Sequence, residues 1–142
     1  MNNKSNIKKI VLVFIIIIAF GGIIYLVNNK CNRPKINVYF FWGNGCPHCE
    51  QTKKFFDSIE NTYGKYYNLV DFEVWENEGN AEIMEEVGET LNEEVGGVPY
   101  LVIGNKSFIG FSDEIGIEIK QEIKKQYKSD DYVDIVKPII DK

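Results

Sequence analysis

Two of the chain's three cysteines, Cys46 and Cys49, stand two residues apart in the stretch FWGNGCPHC (residues 41–49), and the only histidine, His48, lies between them. A C-x-x-C pair can serve a metal site, a structural disulfide or a redox dithiol. A disulfide that closes so short a loop restrains little of the unfolded chain, so a purely structural bridge is a poor use of the pair. Tetrahedral zinc wants four ligands. Cys46, His48 and Cys49 are the only soft ligands of the region, with Cys31 in a separate polar stretch, so no metal is expected. A reversible dithiol is the chemistry that these residue types at this spacing support best.

That chemistry depends on the elements around the pair. Ile36 to Trp42 (INVYFFW) is β-branched and aromatic and suits a strand buried on both faces. Gly43-Asn44-Gly45 ends it, and Pro47 sits where a first helical residue should be, since its missing N–H costs nothing there. Cys49, Phe56, Ile59 and Tyr63 recur at helical spacing, and Gly64 is a natural stop. Cys46 is therefore expected at a helix N-terminus, with Cys49 one turn further on the same face. Orphan N–H groups and the positive end of the helix dipole favour a thiolate at Cys46. The thiolate is the nucleophile of disulfide exchange, so Cys46 is expected to be reactive and partly exposed, with Cys49 as the resolving thiol. Protonated His48 would favour the Cys46 thiolate further and make the disulfide form an oxidant.

Further along, Leu69 to Trp75 alternates like a second strand. Asn80 can cap a helix with an Ile83, Val87, Leu91, Val95 stripe. Gly96-Gly97-Val98-Pro99 reads as a turn. Tyr100–Ile103 and Lys106–Phe111 read as strands joined by the hairpin signal Gly104-Asn105. Ser112 can cap a third helix, with Asp113 and Glu114 in its first turn and Ile115, Ile119, Ile123 and Tyr127 on its buried face. Asp130 to Val136 adds a short helical turn before Pro138. The order β-α-β-α-β-β-α implies an α/β fold, a central mixed sheet flanked by helices.

The N-terminal part has a different character. Ile10 to Val27 is eighteen residues without a charge, long enough as a helix to span a bilayer core of roughly 30 Å. A cleaved signal peptide usually has a shorter apolar run and ends in a small-x-small site, whereas this one ends in Tyr25-Leu26-Val27-Asn28-Asn29. The expected organisation is a cytoplasmic tail over 1–9, a transmembrane signal anchor over 10–27, a polar linker over 28–35 and one domain over 36–142, placed outside the cytoplasm. All 21 acidic residues lie after residue 30 with 12 of the 16 basic ones, an excess of nine acids. Such a surface argues against a nucleic-acid partner. Cys31 sits in the linker without the small residues that a lipoprotein cysteine would want before it; juxtamembrane acylation, intermolecular pairing and no role at all stay open for it, and no catalytic role is expected.

At this point the domain resembles the thioredoxin-fold thiol–disulfide oxidoreductases. The aromatic strand running into Trp42, the Cys46-Pro47-His48-Cys49 centre and Val98-Pro99 followed by a hairpin carry the resemblance, over roughly residues 36–127. The dipeptide between the cysteines is similar to that of DsbA-type oxidases. The resemblance implies a cis Pro99 facing the cysteines and a substrate-binding role for the backbone at Val98. Trp42 reads either as a shield packed beside the dithiol, part of the substrate site, or as an ordinary core aromatic. The resemblance implies no organic cofactor or metal, since the electrons reside in the Cys46–Cys49 pair. Its expected partners are the thiols and disulfides of exported proteins and a membrane redox partner, with oxidation of substrates as the expected direction. An anchored reductase fed by a membrane electron donor and a soft-metal-binding module are the alternatives. Two departures from the family stand out. The large helical insertion of DsbA-type enzymes has no room here. Phe40 occupies the position of a buried acid found in many relatives, leaving Glu73 and Glu76 as weak stand-ins.

Overall fold

The computed structural model describes residues 12–22 and 33–142. The chain divides into two units, Met1–Pro34 and Lys35–Lys142. In the first, residues 12–22 are helical and exposed. Among the described residues no helix is long and apolar enough to cross a membrane. The ends of the expected anchor, the tail over 1–9, Cys31 and most of the linker lie outside the described residues.

The second unit follows the order β1 (Ile36–Trp42), α1 (Pro47–Tyr63), β2 (Tyr67–Glu73), α2 (Glu78–Leu91), β3 (Tyr100–Ile103), β4 (Lys106–Ile109), α3 (Asp113–Lys128) and α4 (Lys137–Ile140). The four strands form one sheet in the order β2-β1-β3-β4. β1 pairs parallel with β2 across the α1 crossover, in the register Ile36↔Tyr67 to Trp42↔Glu73. It pairs antiparallel with β3, and β3 with β4 through the hairpin. This is the thioredoxin-like α/β fold that the resemblance implied.

β1 and β3 lie in the middle of the sheet and bury both faces, which is why INVYFFW and YLVI are almost continuously apolar. Strand alternation divides their side chains between two cores. Ile36, Val38, Phe40, Leu101 and Ile103 point into one, with Phe56 and Ile59 of α1 and Ile119 and Ile123 of α3. Tyr39, Phe41, Tyr100 and Val102 point into the other, with Val87 of α2 and Val136 and Ile139 near the C-terminus. The hydroxyl of Tyr39 donates to Asp134 at 2.9 Å, and the same carboxylate oxygen accepts from the Asn37 side chain at 2.9 Å. Burial, with the Asp134 carboxylate alongside, holds the Tyr39 phenol above its usual range. Asp134 also accepts the Lys137 N–H at 2.9 Å, so one carboxylate fastens the C-terminal segment to the start of β1.

Several boundaries differ from the sequence expectation. β2 runs over Tyr67–Glu73 rather than Leu69–Trp75. Its register is fixed by pairing with Ile36, and the chain leaves the sheet where the Glu73 carboxylate gathers backbone N–H groups. The cap of α2 is Asn77, not Asn80; its side-chain oxygen accepts the Asn80 N–H at 3.1 Å. α2 stops at Leu91 because Asn92 turns left-handed at φ 55°, so Val95 packs from a loop. β4 ends at Ile109, and the Gly110 N–H turns to the Pro99 carbonyl at 2.8 Å. The last helix is Lys137–Ile140, not 130–136; Pro138 stands in its first turn, where proline starts a helix rather than breaking it.

Candidate active site

The cysteines lie where β1 hands over to α1. Gly43, Asn44 and Gly45 form a tight turn closed by the Cys46 N–H on the Gly43 carbonyl at 3.2 Å. Gly45 takes φ +78°, a backbone region that a side chain disfavours. Cys46 is the N-cap of α1, with extended φ −74° and ψ 114°, and Pro47 opens the helix. Cysteine here takes the part usually played by Ser, Thr, Asn or Asp: its Sγ accepts the Cys49 N–H at 3.2 Å. The Glu50 N–H bonds the Cys46 carbonyl at 3.1 Å. Cys46 and Cys49 are disulfide-bonded, with Cα atoms 5.2 Å apart.

The expectation of a partly exposed Cys46 is corrected: the residue is only 4 % exposed, and Cys49 is fully buried. Both cysteines pack into the core shared by α1, α3 and one face of the sheet. The position at a helix start supplied the N–H donors, but the packing of that core against the pair decides its burial.

The Val98 carbonyl oxygen stands 3.8 Å from the Cys46 Sγ, so the structure brings together residues 52 apart in sequence. The Val98–Pro99 peptide is cis, and Val98 is half-buried. His48 is exposed on the first turn of α1, and its Nδ1 lies 3.2 Å from the Gln51 Oε1. Trp42 is half-buried against the same core as the cysteines. Its Nε1–H donates to Asp71 at 3.0 Å, and the Lys53 ammonium sits 3.3 Å from its ring centroid. Phe40 is buried at 1 % exposure against Phe56, so an aromatic contact fills the place where the resemblance would put an acid. Among the described residues no group of three or more His, Cys, Asp or Glu converges as a metal site.

Glu73 and Glu76, the weak stand-ins for that acid, brace the turn before Cys46. The Glu73 carboxylate accepts the N–H groups of Asn44 at 3.1 Å, Trp75 at 3.0 Å and Glu76 at 2.8 Å. The Asn44 side chain in turn donates to Glu76 at 3.1 Å. Desolvation raises the Glu73 carboxyl, but these backbone donors outweigh it and hold the group below its ordinary value. The Val74 N–H on the Trp42 carbonyl at 2.8 Å completes the tie between the two loops.

Sequence reasoning missed this brace and the position of Trp75, whose indole lies against Gly43. A Cβ built on Gly43 would stand 2.5 Å or less from three ring carbons. The only available signal was Gly43 itself, since a glycine at a strand end often marks a close approach. Also unforeseen is a cavity of about 590 Å³ lined by Gln51, Lys54, Phe55, Ser58, Phe111 and the start of α3.

The sequence pattern of the glutaredoxin family matches residues 37–109, a little over half of the chain. No curated protein matches. Among solved structures, the glutaredoxin of Archaeoglobus fulgidus is 24% identical, with 63% of this chain and 87% of that one covered at a TM-score of 0.43. The Malassezia sympodialis thioredoxin Mala s 13 is 17% identical, with 68% of this chain and 83% of that one covered at a TM-score of 0.44. With the matched residues spanning β1 to β4 and enclosing the Cys46–Cys49 pair, the chain belongs to the glutaredoxin family.

Proposed function

We propose that this chain is a membrane-anchored, extracytoplasmic thiol–disulfide oxidoreductase that passes its Cys46–Cys49 disulfide to exported proteins. The observation that supports the oxidising direction is the N-cap position of Cys46, with its Sγ on the Cys49 N–H at 3.2 Å. A substrate thiolate attacks the Cys46 sulfur, the Cys46–Cys49 bond breaks, and Cys49 leaves and takes a proton from water. A second substrate thiol then attacks the substrate sulfur of the mixed disulfide and expels Cys46. The N–H donors of the α1 start stabilise Cys46 as a thiolate, which makes it the better leaving group. Protonated His48, exposed on the same turn, adds positive charge there. Two electrons pass from substrate to protein, and a membrane redox partner is the expected acceptor that restores the disulfide.

The other parts have assigned roles in this reading. The Val98 backbone beside Cys46 pairs with the extended substrate, Pro99 shapes the groove, and Trp42 shields the pair. The uncharged run Ile10–Val27 supports the anchor, which would hold the domain where exported chains emerge and disulfides persist. The dithiol itself carries the electrons, without organic cofactor or metal.

Equilibration of the full chain with glutathione tests the direction. A reduction potential near about −120 mV is expected of a disulfide donor. A potential near about −270 mV would make the protein a reductant and overturn the oxidising role.

A further inference from the structure

Trp75 is the one aromatic side chain of the second unit left largely open among the described residues, at 60 % exposure. Its exposure is not that of a loose surface ring. One face rests on Gly43, where no Cβ could fit. Its own N–H and that of Glu76 are held by the Glu73 carboxylate, which also holds Asn44. The backbone that carries the ring is thus tied to the turn whose Gly43 carbonyl receives the Cys46 N–H at 3.2 Å. An open indole packed on the turn that leads into the first cysteine gives an incoming chain contact area at little ordering cost.

The chain around it in sequence has a definite sign. Residues 71–94 hold ten acidic side chains and no basic one. Among the described residues only Glu86 of these ten is in an ion pair, with Lys142. Glu76 and Glu78 follow Trp75 in the chain, and both are exposed. An aliphatic side chain laid on the indole would gain nothing from these carboxylates, and an acidic one would be repelled. A guanidinium stacks on an aromatic face and is attracted by the carboxylates at once.

We infer that Trp75 selects the polypeptide substrate, by docking a basic side chain, arginine above all, within two or three residues of the substrate cysteine that meets Cys46. The inference rests on the redox reading above and adds to it the chemistry of the substrate. Only Asn44 and Gly45 separate Gly43, on which the indole rests, from Cys46, and two or three extended residues span about 7–10 Å.

The test uses the oxidised full chain and two dithiol peptides of equal length, one with arginine and one with glutamate two residues from the first cysteine. In each reaction the peptide's two thiols lose two electrons and two protons to form a disulfide, and the Cys46–Cys49 bond is reduced. The readout is the ratio of the two rates, in which any general loss of active-site geometry cancels. The arginine peptide is expected to lead by about tenfold at low salt, and Trp75→Ala to cut that lead about three- to fivefold, with Trp75→Phe restoring most of it. Equal rates in the unmodified chain, or a ratio that Trp75→Ala leaves unchanged, would overturn the docking role alone. No exchange with either peptide or with dithiothreitol would overturn the redox reading and the docking role with it.

Discussion

Replacing Gly43 by alanine places a methyl group where the Trp75 indole now lies. The Cβ would stand 2.5 Å or less from Cδ2, Cε2 and Cε3, whereas carbon atoms rest at about 3.5–4.0 Å. One partner has to retreat by about 1 Å or more. The backbone beneath cannot, because Glu73 holds the N–H groups of both loops. The ring can, since it is 60 % exposed. Its covered two-fifths amount to about 100 Å² of a side chain that buries up to about 250 Å². At about 25 cal/mol per Å² the contact is worth at most about 2.5 kcal/mol. Alanine returns about 0.4–1 kcal/mol through the unfolded chain. Gly43→Ala is therefore expected to destabilise by about 1–2 kcal/mol. In a Trp75→Ala background the same change is expected to be neutral or slightly stabilising. Urea unfolding of the four proteins, followed by circular dichroism, gives the coupling directly. A coupling below about 0.5 kcal/mol would refute the reasoning, because the ring would then owe nothing to the missing Cβ.

Two further outcomes follow from the same geometry. Phe40→Ala removes a ring at 1 % exposure that packs on Phe56, and a loss of about 3–5 kcal/mol in urea unfolding is expected. Glu73 lies below its ordinary value of 4.5 in the folded chain. A depressed folded value means stability that is present above the unfolded value and lost as pH falls through the folded one. The melting temperature of the unmodified chain should thus fall further between about pH 7 and about pH 3 than that of Glu73→Gln. Equal falls in the two proteins would remove Glu73 as a pH-sensitive brace.

Much of the site was legible because its signals are local. Pro47 at a helix start, glycines on either side of Asn44 and apolar residues at helical spacing placed Cys46 at the end of α1. Ser112 was equally plain, and its hydroxyl accepts the Ile115 N–H at 3.3 Å. What failed to show was decided at a distance or by competition between near neighbours. Asn77 and Asn80 are both good caps, and only the exit of β2 toward α2 favours the first. Alternation in LVDFEVW gave a strand but not its register, which Ile36 sets from another element. The burial of Cys46 is a property of the packed core rather than of the helix start. Nothing in the spacing of Gly43 and Trp75 announces that they touch.

The fastening of the C-terminal segment by Asp134 has a mechanical consequence. The N-terminal unit joins the domain at Lys35, immediately before β1. A pull on that joint along β1 meets a central strand bonded on both sides, parallel to β2 and antiparallel to β3. Its ladders are then loaded in shear, many bonds at once, rather than peeled open one by one. The Asp134 bonds to Asn37 and Tyr39 sit at the same entrance and act as a latch that must yield first. A domain tethered through its N-terminal side would be stiffest in the direction of the tether, with the turn that carries the cysteines at the far end of β1.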